Sequence, residues 1–144
     1  MRIVLGIIAG LIAGFVAIWV VGIIGNLVYP LPSEMSIGNR EEMAALIRGR
    51  PPGAMAFTVA AWFAGALAGG IVANLIANRR WPAWVMAGVV ALASILNVLV
   101  IPHPDWVQIA AFVVPVLGGL IARHLVTPKP ETPSAPRESA DAEA

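Results

Sequence analysis

A histidine and an aspartate stand two residues apart in "LNVLVIPHPDWVQIAAF", residues 96–112, between two apolar runs. An imidazole beside a carboxylate is raw material for acid–base chemistry, metal ligation or pH sensing. The same residues could also form only the wet elbow of a hairpin. Partners decide between these readings. His124 is the other histidine, 21 residues further on. Along a helix that is ~30 Å, so the two imidazoles cannot share a metal within one chain. His103 and Asp105 alone are too few ligands, unless subunits pair them across an oligomer. No G-x-S-x-G motif occurs, and Ser94 lies over two turns from His103. Cysteine is absent, which removes disulfides, thiolate metal sites and cysteine nucleophiles, and leaves the redox compartment undetermined. No cofactor is expected.

The local sequence offers a mechanical account. Pro102 and Pro104 stop one helix and fix a tight turn. Asp105 precedes Trp106 and suits the N-cap of the next helix, where its charge also meets the helix dipole. His103 then remains as a solvated turn histidine or, in the sharper reading, a ligand or pH-sensing base.

The elements on either side are long and apolar. Hydrophobic residues make up 59% of the 144, charged residues 12%, and mean hydropathy is +0.85. A soluble domain carries roughly twice that charge. Apolar runs cover about residues 3–29, 54–78, 81–101 and 106–126. Each is longer than the ~20 residues that cross a hydrocarbon core. The first run is too long for the apolar part of a cleaved signal and reads as a retained span. The expected fold is an all-α integral membrane protein: a four-helix transmembrane bundle over 1–126 and a disordered tail over 127–144. The net charge of +1 shows no nucleic-acid footprint.

Arg2, Arg79, Arg80, Arg123, Lys129 and Arg137 fall on one side of this topology, and Arg40, Arg48 and Arg50 on the other. That bias places both termini in the cytoplasm. Trp81 and Trp84 then mark the inner interface, and Tyr29 and Trp106 the outer one. In the outer loop, 30–53, "NREEMAALIRG" carries an N-cap, Asn39, with Glu42 three residues later. Met43, Leu46 and Ile47 share a face, and Gly49 can cap the end. A short amphipathic helix is expected, lying on headgroups or its own bundle, or covering a cavity mouth or partner surface.

Small residues recur every fourth position: Gly6, Gly10 and Gly14 in the first span, Ala61, Gly65, Gly69, Ala73 and Ala77 in the second. Such stripes let backbones approach closely, which holds helices together in lipid. The third span offers Ala83, Ala87 and Ala91, the fourth Gly118 and Ala122. These faces serve either a monomeric bundle or a homo-oligomeric seam, and their number favours the seam. No repeat links the two halves.

No ionisable residue lies in the middle of any span, which argues against a proton-coupled antiporter. Neutral polar residues sort by depth instead. Asn26, Tyr29, Thr58, Asn97, His103, Asp105 and Gln108 gather at the outer end, while Asn74 and Asn78 lie near the inner side and Ser94 is deeper. The outer group is a candidate binding cluster, or a set of interhelical hydrogen bonds. Pro115 frees a carbonyl near Ala111, which either lines a cavity or is tolerated in lipid.

The segments "WFAGALAGGIVANLIA" and "ILNVLVIPHPDW" resemble small four-span proteins of bacterial inner membranes, a family of unknown function. The resemblance covers the chain except the tail. It implies a multi-pass protein of the bacterial inner membrane and no particular chemistry. The leading expectation is a structural or accessory protein without enzymatic activity, whose partners are the lipid bilayer and either its own copies or another membrane protein. A small homo-oligomeric channel or transporter for a neutral or amphiphilic solute ranks second. A membrane enzyme using His103 ranks last.

Overall fold

The computed structural model describes residues 1–30 and 40–130. In chain order the helices are α1 (Arg2–Val28), α2 (Arg40–Gly49), α3 (Pro52–Ala77), α4 (Pro82–Val100) and α5 (Asp105–Leu125). All but α2 are long and apolar enough to cross a membrane. No strand occurs among the described residues.

Helix boundaries follow backbone chemistry. Proline opens α3 and α4 at their first helical position, where its missing N–H has no intrahelical partner to lose. At the end of α3, Asn78 adopts φ 51°, the left-handed conformation that asparagine tolerates better than most residues. The chain reverses there and re-enters as α4.

The N-cap of α5 corrects the expectation. Pro104, not Asp105, occupies it, with extended ψ of 151° and no side-chain cap. Its carbonyl accepts the Val107 N–H at 2.9 Å. The ring has already set φ at −56°, so the helix begins one residue earlier and Asp105 becomes its first residue. The aspartate still places negative charge in the first turn. Gly49 likewise remains inside α2, and the chain leaves the helix at Arg50, ahead of Pro51. The proposed capping pair cannot be placed, because Asn39 and the Glu42 side chain lie outside the described residues.

α3 is the hub. α1 packs chiefly on α3 and only marginally on α4, while α5 packs on both α3 and α4. The glycine stripes explain the α1–α3 contact. A Cβ placed on Gly10 would stand 2.7 Å from the Gly69 carbonyl oxygen, and one on Gly69 would stand 2.8 Å from that of Gly10. Gly14 meets Gly65 and Gly6 meets Ala73 in the same way. The two backbones touch where side chains would hold them apart. Gly70 faces Ala122 and Ala83, Gly118 faces Ala66, and Gly119 faces Ala87. Ala61 and Ala91 are buried too. The small-residue faces that seem surplus in the sequence are therefore used within a single chain, and their number no longer argues for an oligomeric seam.

Most large apolar side chains point the other way. Phe15 is 69% exposed, Trp19 64%, Leu92 60% and Phe112 60%. At the α2 end of the bundle, Met55, Trp62, Val90, Val107 and Ala111 form the main cluster of buried apolar side chains. Ile47 of α2 packs against this cluster.

Candidate functional site

The seven polar residues expected to gather at the α2 end do lie towards it, but the contacts divide them. One group forms around Tyr29. Its ring meets Phe57 edge-on at 6.1 Å and its hydroxyl reaches Gly53, while Arg50 donates to its carbonyl at 3.0 Å. The other group forms around His103. Its ring stands 6.5 Å from that of Trp62, and Gln108 Nε2 donates to its carbonyl at 3.1 Å. His103 Nδ1 lies 2.7 Å from the Ile101 carbonyl oxygen, which can only accept in such a contact. Phe57 and Trp62 are five residues apart, hence about 140° apart around α3. The groups consequently occupy different sides of that helix. Asn26 and Asp105 are exposed, and Thr58 and Asn97 are half-buried.

The fully buried polar residues lie deeper. Ser94 Oγ is 2.6 Å from the Ala111 carbonyl and 2.9 Å from that of Ala91 in its own helix. Ala111 stands four residues before Pro115, which has no N–H to offer its carbonyl. The α4 hydroxyl thus replaces the helical donor that proline removes.

Asn74 performs a double version of this role. Its Oδ1 accepts the Ala83 N–H at 2.9 Å, and its Nδ2 donates to the Ala122 carbonyl at 3.4 Å. Ala83 is the second residue of α4, where N–H groups have no intrahelical acceptor. Ala122 lies in the last turn of α5, where carbonyls have no intrahelical donor. The Trp81 side chain at the N-cap has no oxygen with which to cap α4. One α3 amide therefore serves an orphan donor and an orphan acceptor of two other helices. Among the described residues, no buried side-chain nitrogen or oxygen lacks a hydrogen-bond partner.

At the same end, Asn78 holds the chain that follows α5. Lys129 N–H donates to its Oδ1 at 2.7 Å, and its Nδ2 donates back to the Lys129 carbonyl at 3.1 Å. Residues 127–130 of the expected disordered tail are thereby tied to α3, whereas 131–144 lie outside the described residues. A cleft of about 570 Å³ opens here, with Arg2, Asn78, Thr127 and Lys129 in its lining. A second cleft, of about 300 Å³, shares Arg2 and Asn78. An apolar groove of about 310 Å³ runs between α1 and α4, lined by Phe15, Ile18, Met86 and Val89 among others.

Among the described residues, no three His, Cys, Asp or Glu side chains converge as metal ligands. No protein-family model, curated protein or solved structure matches the chain.

Asn74, Asn78 and Ser94 stand out in the sequence by their depth, but their partners do not. The usable signals were local: a proline four residues after a carbonyl in one span, and an asparagine one turn from an apolar helix end. Pairing them requires the register between helices.

Proposed function

We propose that this chain is a multi-pass membrane protein whose four long helices cross the bilayer, and that its role is structural or accessory rather than catalytic. The observation that carries this reading is the direction of packing. Small residues and the polar groups of Asn74 and Ser94 face inward, while most large apolar side chains outside the Met55–Trp62 cluster face outward. Lipid rewards such an arrangement, because close backbone approach and internal hydrogen bonds hold helices together there. The outward face of α1, including Ile12, Phe15 and Trp19, gives lipid or a neighbouring membrane protein a broad apolar surface.

Charge supports an orientation. Arg2, Arg79, Arg80, Arg123 and Lys129 surround one end of the bundle, against Arg40, Arg48 and Arg50 in and just after α2 at the other. The basic end is assigned to the cytoplasm. A bacterial inner membrane fits the resemblance of the quoted segments.

A second reading has its own observation. The groove between α1 and α4 is apolar and about 310 Å³ in volume, the kind of space that part of an acyl chain or another apolar molecule would take in a small transporter of amphiphiles. Native mass spectrometry of the protein, carried from its own membrane into lipid nanodiscs, separates the two. A stoichiometric foreign subunit supports the accessory role. Copies of this chain alone, retaining one defined solute, overturn it in favour of transport.

A further inference from the structure

The cleft at the basic end combines features that the accessory role does not use. Its walls come from three parts of the chain: the first turn of α1, the C-terminal end of α3 and the segment after α5. Arg2 and Lys129 bring positive charge to it from opposite ends of the sequence. Thr127 adds a hydroxyl, and Leu75 and Ile76 add an apolar wall that is 61% and 37% exposed respectively. The lysine is not placed by chance, since Asn78 binds its backbone at both N–H and carbonyl.

We propose that this cleft holds the phosphate-bearing headgroup of an anionic phospholipid, with Arg2 and Lys129 as its charged contacts. The inference rests on the membrane-spanning reading. In that setting the cleft lies at the interface level, where a basic pocket between helices meets lipid headgroups. Two cations suit an anionic phosphodiester, and Thr127 can donate to a phosphate oxygen. Leu75 and Ile76 favour a lipid over free phosphate, because they offer the glycerol and upper acyl chain an apolar path beside the headgroup. The Asn78–Lys129 pairing holds the backbone of the second cation at the edge of the cleft.

The test uses the full chain in nanodiscs of phosphatidylcholine containing a minor fraction of phosphatidylglycerol. Native mass spectrometry reads the lipids that remain bound. The wild type should retain phosphatidylglycerol at roughly fivefold or more above its bulk fraction, and Arg2→Gln with Lys129→Gln should return the ratio to bulk. Arg48→Gln, in α2, should leave the enrichment intact. Asn78→Gly keeps the left-handed turn and both cations but releases the Lys129 backbone, so enrichment should fall even if the double variant folds poorly. Circular dichroism checks the helicity of each variant. Absence of enrichment in the wild type, or enrichment that survives both Asn78→Gly and the double substitution, overturns the proposal. Inorganic phosphate that binds equally well in discs of phosphatidylcholine alone overturns it in favour of a free anion. A chain that fails to enter nanodiscs refutes the spanning reading itself.

Discussion

Ser94 Oγ lies 2.6 Å from the carbonyl oxygen of Ala111, the carbonyl that Pro115 leaves without its helical donor. The proline defect in α5 and the serine in α4 therefore form one unit. Ser94 is buried, so the substitute donor is a hydroxyl from the neighbouring helix rather than solvent.

Ser94→Ala should destabilise the bundle by about 1–3 kcal/mol, the range for a buried acceptor left unsatisfied. Pro115→Ala restores an N–H at position 115 that can bond to Ala111. In that background the loss of Ser94 should matter much less. A double-mutant cycle in reversible unfolding from micelles checks this. Equal penalties in both backgrounds would show that the two residues act independently.

The α1–α3 seam gives a prediction with an internal control. Gly10→Ala drives a methyl group against the Gly69 backbone, and overpacking of this kind costs about 1–3 kcal/mol. Gly22, on the same helix, has nothing within 4 Å of an added Cβ. Gly22→Ala should be neutral or slightly stabilising, because alanine favours helix more than glycine does. Thermal unfolding of the two variants side by side measures the contrast.

Asn74 supplies a third test. Asn74→Leu keeps the branched heavy-atom skeleton, though it is bulkier, and removes both hydrogen bonds at once. Stability should fall by about 1–3 kcal/mol, since an N–H of α4 and a carbonyl of α5 lose their partner. Amide hydrogen exchange should quicken at Ala83 more than at Val90 in the middle of α4. Uniform quickening along α4 would mean that Asn74 acts only through packing.

These residues also mark how far the fold is legible in the sequence. The four long helices are visible because unbroken apolar runs leave no other use for their length, and their ends are visible because Pro52, Pro82 and Pro104 punctuate them. Asp105 misleads by one position, because side-chain preference for the N-cap competes with a proline that already has the required backbone angles. The glycine stripes announce close packing without naming the partner helix. Gly10 could meet any small residue, and only the register of α1 on α3 selects Gly69. Depth places the seven residues at the α2 end, but depth carries no angle. Tyr29 and His103 share a level while contacting residues on different sides of α3. The Asn74, Asn78 and Ser94 contacts stay hidden for the same reason, since each joins residues that sequence distance keeps apart.

The most direct test of the central claim uses the absence of cysteine, which makes any introduced thiol unique. Ala45→Cys in α2 and Thr127→Cys after α5 both place it at exposed positions. Intact cells expressing each variant are treated with a membrane-impermeant maleimide, before and after permeabilisation, and carbonate-washed membranes are probed for the protein. A four-helix protein that spans the membrane with its basic end inside predicts retention in the washed membranes, labelling of Ala45→Cys in intact cells, and labelling of Thr127→Cys only once the membrane is opened. Labelling of both positions from one side, or release of the protein by the wash, would contradict it.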